Sequence, residues 1–199
     1  MTAEERIFSI VRGGLYAKLP SLALPLGRLT CREGDVDPAG TDGEAAVFAP
    51  GLLRREFLAE SDLPERLTLH LLLHLMLGHP WGRQGRVRAL WDTACDLAVG
   101  LVRHALLPQE PETPAAFSAR CKLQARRAVR APAIYALLLE QPDALTAEEQ
   151  AAFYLDDHRL WQLPASASAP KTADGGAETG WQALGRKLPD PLPPKPVIG

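Results

Sequence analysis

Apolar residues are unevenly spread along the chain, and their spacing marks out its elements. One stretch, LTLHLLLHLMLG at 67–78, is apolar on every side except for two histidines. A helix that is apolar all round belongs in a core, so this segment is expected at the centre of the fold. Asp62-Leu-Pro-Glu65 precedes it and reads as a capping box with proline in the first turn. Thr2-Ala-Glu-Glu5 is a second box, opening a helix to about Arg12, where Gly13-Gly14 is expected to stop it. Thr146-Ala-Glu-Glu149 is a third and launches a helix to about Leu155. Helical periodicity also covers 52–59, 88–107, 115–129 and 132–141.

Residues 15–50 behave differently. Pro20, Pro25, Gly27, Gly40 and Gly43 break them into short apolar pieces. Two of these, RLTCR (28–32) and AAVFAP (45–50), predict strands, joined across a loop with Thr41-Asp42-Gly43. A small β-hairpin or edge sheet therefore precedes the histidine helix, and the fold class is α+β, predominantly α.

Near residue 163 the composition changes. Residues 1–163 are expected to form the domain, and 164–199, dense in Pro, Ala, Ser and Gly, a linker or tail. The closing PDPLPPKP favours extended polyproline geometry. One island, TGWQALGRKL, carries Trp181 and Leu184, through which it could dock back on the domain.

The 199 residues are 46% hydrophobic and 23% charged, which suits a globular chain rather than a disordered one. Lys and Arg number 22 against 24 Asp and Glu, a formal charge of -2. That balance argues against a dedicated nucleic-acid or membrane-surface binder, and neither is expected as a partner. The basic run Arg120, Lys122, Arg126, Arg127 and Arg130 reads as a solvated helix face. Cys31, Cys95 and Cys121 have no CxxC spacing and are odd in number, as for reduced thiols. The N-terminus, MTAEERIFSIVRGG, carries acids where a signal peptide needs base, and a cytoplasmic location is expected.

Candidate chemistry concentrates in HLLLHLMLGHPW, which holds His70, His74 and His79. His70 and His74 are four apart, about 40° around the helix and one turn up. That spacing lets two imidazoles take neighbouring corners of a zinc tetrahedron. Gly78 is placed to end the helix and Pro80 pushes His79 toward extended geometry. His79 is therefore either turned back toward the metal or left on the surface. Asp96 sits among Ala94, Cys95, Leu97, Ala98 and Val99, company in which a carboxylate needs a partner. It reads as an oxygen ligand, as an acceptor orienting an imidazole, or as the partner of Arg66 or Arg103. Asp92 suits the helix dipole. Tyr154-Leu-Asp-Asp-His158, with Trp161 beyond, is a further cluster in which Asp157 and His158 read as a helix-end cap and its neighbour.

HLLLHLMLGHPW followed by ALWDTACDLAV resembles a metallopeptidase domain that precedes a von Willebrand factor A-like domain in certain bacterial proteins. The upstream TDG before AAVFAP and the downstream DDHRLW are similar to features of a clostridial branch, so the likeness spans about residues 35–161. It implies a zincin-like fold, bound zinc, and partners in the form of a von Willebrand factor A-like domain and an AAA-type ATPase. It also implies that His70, His74 and Asp96 match metal ligands and His79 the family's third histidine. Where the peptidase pattern has glutamate after the first histidine, this chain has Leu71. That glutamate moves the proton of the metal-activated water. Its loss implies a zinc-binding module acting in binding or regulation, unless Glu65, Asp92 or Asp157 replaces it. The alternative is a metal-free helical interaction domain with structural histidines.

Overall fold

The computed structural model describes residues 2–83, 85–107, 130–162 and 176–186. The helix expected at 115–129, with Cys121 and the basic run up to Arg127, lies outside these residues, as does the proline-rich close of the chain. The described residues fall into two compact units, 2–83 with 155–162 and 176–186, and 85–107 with 130–154. The architecture is α+β and predominantly α, with one small sheet.

In the first unit, α1 (Ala3–Lys18) starts at the expected box, with Thr2 Oγ1 accepting from Glu5 N and Glu5 closing the return bond. It does not stop at Gly13-Gly14. A side chain on Gly14 would collide with the Glu65 carboxylate, which pairs with Lys18 at the helix end. The glycine is a packing site, and tertiary contact overrides its weak helix propensity. A short α2 (Ala23–Arg28) follows, tied to α1 by Arg12, which donates to the Leu26 and Leu29 carbonyls at 3.2 and 2.9 Å.

The sheet contains β1 (Thr30–Glu33), β2 (Ala39–Thr41) and β3 (Ala45–Phe48) in the order β1-β3-β2. The two strands expected from the sequence are neighbours, but they run parallel, Cys31 opposite Ala46. The antiparallel partner of β3 is β2, with Gly40 opposite Val47. Between β2 and β3, Asp42 Oδ1 accepts from Glu44 N and Ala45 N, each at 2.9 Å, and Gly43 turns the chain at φ +98°. Those two backbone donors and Arg32 outweigh half-burial and lower the Asp42 pKa.

After α3 (Leu52–Leu58) comes α4 (Leu63–Met76), the histidine helix. Asp62 does not cap it through its side chain; Ser61 Oγ accepts from Leu63 N at 3.1 Å instead. From Leu67 to Met76 every residue of α4 is buried, as an all-round apolar helix requires. Gly78 ends the element at φ +73°, and a 3-10 turn, His79–Trp81, follows.

The second unit holds α5 (Arg88–Leu106), α6 (Ala131–Glu140) and α7 (Ala147–Phe153). Trp91 on α5 is buried and meets Tyr135 of α6 edge-on at 6.1 Å. Thr146 and Glu149 form the expected capping box of α7. α8 (Gly176–Gly185) belongs to the first unit, where it packs on α4. Its Trp181 is 1% exposed beneath the Arg28 guanidinium, 4.8 Å from the ring centroid. Among the described residues no helix is long and apolar enough to cross a membrane.

Candidate metal centre

Two elements of the first unit bring side chains to one point. α4 supplies His70 and His74 on a single face, and the segment after Tyr154 supplies Asp156 and His158. That segment is held by β2: Asp157 N donates to the Ala39 carbonyl at 2.7 Å, and Gly40 bridges to Asp157 in parallel. Asp157 sits at that isolated bridge, between a bend at Asp156 and a 3-10 turn that opens at His158. Asp156 and His158 point inward, while Asp157 points away and accepts from Arg159 N and Nε at 2.9 and 2.7 Å and from Asp37 N at 3.3 Å. Asp157 is thus a local brace joining the following turn to Asp37, and the preceding helix ends at Phe153 with Tyr154 as its cap.

Asp156 Oδ1 lies 2.9 Å from His70 Nε2, 3.0 Å from His158 Nε2 and 3.7 Å from His74 Nε2. His70 and His74 hold their Nε2 atoms 2.9 Å apart. All four residues are buried, Asp156 and His74 at 0% exposure. Burial alone would raise the Asp156 carboxyl pKa; the imidazoles of His158, His74 and His70 and the bond to His158 outweigh it and hold the group well below the usual aspartate value. Trp161 closes one side, stacked on His158 at 3.9 Å between centroids and 5.0 Å from His74, with the Arg83 guanidinium 5.7 Å from the Trp161 ring centroid.

Hydrogen bonds alone leave this arrangement poorly satisfied. A single His70 Nε2–H cannot bond fully to both Asp156 Oδ1 and His74 Nε2, each 2.9 Å away. Asp156 Oδ2 is buried with no hydrogen-bond partner among the described residues, an arrangement proteins rarely leave unexplained. A divalent cation would accept the inward lone pairs together. Tetrahedral zinc with bonds of about 2.0–2.1 Å has ligand–ligand edges of roughly 3.3 Å; the His70, His74 and Asp156 atoms, 2.9–3.7 Å apart, bracket that edge, and His158 Nε2 lies 3.0 Å from the Asp156 oxygen. The donors fit a metal.

A family model described as "Putative metallopeptidase domain" matches residues 13–183. The chain belongs to this family. No curated protein and no solved structure matches it. Within the metallopeptidase-family domain, His70 and His74 stand where the sequence placed them, on one face of the central helix. His79 is also buried, its Nδ1 3.0 Å from His74 Nδ1, on the nitrogen remote from His70. Asp96 is buried on α5 in the second unit, among Ala94, Cys95, Leu97, Ala98 and Val99. Of the possible replacement bases, Glu65 pairs with Lys18, Asp92 lies 3.7 Å from Arg88, and Asp157 holds Arg159. The sequence marks Tyr154–His158 as a cluster but reads His158 only as the neighbour of a helix-end cap and gives Asp156 no role; the structure puts both at the site. The signal available was the Asp-x-His alternation inside DDHRLW.

Proposed function

We propose that this metallopeptidase-family domain binds one zinc ion through His70, His74, Asp156 and His158, and serves as a binding or regulatory module rather than as an ordinary peptidase. One observation carries the reading. Three imidazoles and a carboxylate converge in a fully buried cluster, while the residue beside the first histidine is Leu71, itself 0% exposed. Four protein donors are the mark of a closed, structural zinc site; hydrolytic sites keep three and leave a position for water. When bound, the ion would supply Lewis acidity and tie α4 to the segment after Tyr154. The protein's own residues do the rest. Asp156 brings the negative charge, Trp161 shuts out water beside His158, and Leu71 offers no proton acceptor.

The family resemblance adds Asp96 to the ligand candidates, and names a von Willebrand factor A-like domain and an AAA-type ATPase as partners for a regulatory role. Metal analysis of untagged protein tests the central claim. About one zinc per chain is expected, lost in His74→Ala and in Asp156→Asn, with Asp96→Asn reporting whether that carboxylate contributes. Metal-free protein under zinc-replete conditions would overturn the proposal and leave the helical interaction domain with structural histidines.

A further inference from the structure

We propose that His79 is a positioning residue for His74: it fixes the imidazole hydrogen of His74 on Nδ1 and so turns the Nε2 lone pair toward His70 and Asp156. The inference rests on the metal-centre reading above and concerns a residue that reading leaves outside the ligand set.

The local chain is built to bring the two rings together. α4 ends at Met76, Gly78 reverses the backbone at φ +73°, and the 3-10 turn begins with His79 and Pro80. Gly78 cannot readily be exchanged, since a β-carbon there would sit 2.8 Å from the Gln182 amide nitrogen of α8, in a conformation L side chains rarely adopt. The turn returns His79 to the helix that it has just left. Its ring meets His74 edge-on, 5.0 Å between centroids and 73° between planes, with Nδ1 facing Nδ1 at 3.0 Å.

One hydrogen lies between those two nitrogens, and the choice of its owner has a consequence across the ring. A neutral imidazole carries a hydrogen on one nitrogen and a lone pair on the other. If His74 Nδ1–H donates to His79, His74 Nε2 is a lone pair, and Nε2 is the atom 2.9 Å from His70 Nε2 and 3.7 Å from Asp156 Oδ1. If His79 donates instead, His74 must keep its hydrogen on Nε2, aimed into the cluster, where no cation could be held. Ligating histidines are generally oriented by a group on the far nitrogen, and losing that group costs about 10–100-fold in metal affinity. Here a second histidine does the work usually left to a carboxylate or a carbonyl.

Two substitutions in the full chain separate the roles. His79→Phe keeps a ring but removes the acceptor; His79→Asn offers a carbonyl oxygen near the former Nδ1. Imidazole ¹⁵N spectra of the metal-free and zinc-loaded protein read the hydrogen on His74, and competition with a chelator reads affinity. Wild type should show His74 protonated on Nδ1 in both states. His79→Phe should still bind one zinc per chain, about 10–100-fold more weakly, with the metal-free His74 hydrogen redistributed to Nε2. His79→Asn should recover most of the affinity and the Nδ1–H signal. Loss of zinc stoichiometry in His79→Phe equal to that in His74→Ala would make His79 a ligand and overturn the proposal. So would unchanged affinity with an unchanged His74 spectrum. Wild-type protein that takes up no zinc defeats the metal-centre reading alone, because the metal-free spectrum still decides: a His74 hydrogen on Nε2 sinks the positioning role, even if His79→Phe fails to fold.

Discussion

Gly40 and Asp157 lie so close that a β-carbon on Gly40 would stand 2.5 Å from the Asp157 carbonyl oxygen. The contact is backbone on backbone, so neither side can swing away. It places the segment carrying Asp156 and His158 against β2, and the site inherits its geometry from that seat. Gly40→Ala should therefore push the segment outward. A loss of about 1–3 kcal/mol is expected, the usual cost of overpacking, together with weaker zinc binding. Chemical denaturation and a metal titration check both. A stability change within about 0.5 kcal/mol, typical of an uninvolved surface site, would show that the seat is not rigid.

Leu71 occupies the position at which a peptidase of this pattern carries its glutamate, and it is packed into the core. Leu71→Glu would place a carboxylate among Leu67, Leu72 and Leu75, which are all fully buried. The charged form is costly there without a partner, so the variant should unfold or lose several kcal/mol without gaining peptidase activity. Leu71→Met preserves volume and should cost less than about 1.5 kcal/mol. Circular dichroism with thermal melts distinguishes the two. A folded, proteolytically active Leu71→Glu would instead show that the helix can rotate this position to the metal.

What the sequence made legible was local. The all-round apolar pattern of 67–78, the His70–His74 spacing, the stop at Gly78 and the boxes at Thr2 and Thr146 each depend on residues within about one or two turns of helix, and each formed. Long-range contacts decided the rest. α1 runs on through Gly13-Gly14, where the Glu65 carboxylate, from a residue 47 positions beyond Lys18, lies against Gly14 and pairs with Lys18. β2 escaped notice because Ala39-Gly40-Thr41 is three residues with a glycine at its centre, and only its pairing with β3 and Asp157 makes it a strand. Asp156 reaches His70 across 86 residues, a juxtaposition that no periodicity encodes. For His79, the turn could be read from Gly78 and Pro80, but which nitrogen of His74 it would meet could not.

Asp156 also sets an acid limit on stability. Burial alone would raise its pKa, but the attraction of His158, His74 and His70 exceeds that effect and holds the folded value well below the ordinary aspartate range. A depressed carboxyl contributes stability that is fully present above the unfolded value and is lost as pH falls through the folded one. In the metal-free protein, unfolding should therefore take up one proton at this residue below about pH 3.9. Asp156→Asn removes that uptake. Its stability should fall less steeply over this range, by up to about 1.4 kcal/mol per pH unit, and should lie below wild type at neutral pH. Denaturant midpoints measured from pH 3 to 7 give both slopes; parallel curves would mean that Asp156 titrates as it does in the unfolded chain.

The last described helix, α8, packs on the histidine helix, and its Trp181 is anchored beneath Arg28 of α2. Its ring is buried under Arg28, and Gly185 packs so tightly on the Met76 backbone that a side chain there would collide with the Met76 carbonyl. Met76 is the last residue of α4, and the turn that follows carries His79. α8 therefore braces the region on which the His74–His79 contact depends. Truncating a buried tryptophan to alanine generally costs about 3–5 kcal/mol, and Trp181→Ala should fall in that range. Cutting the chain after Gln162 should cost at least as much, since it removes the glycine contact as well. Both changes should weaken zinc binding, although neither touches a proposed ligand. Differential scanning calorimetry and chelator competition on the two variants supply the measurements. If the chain ending at Gln162 melts with the full-length protein and holds zinc equally well, α8 is a passenger on the first unit and the brace must be sought within α4 itself.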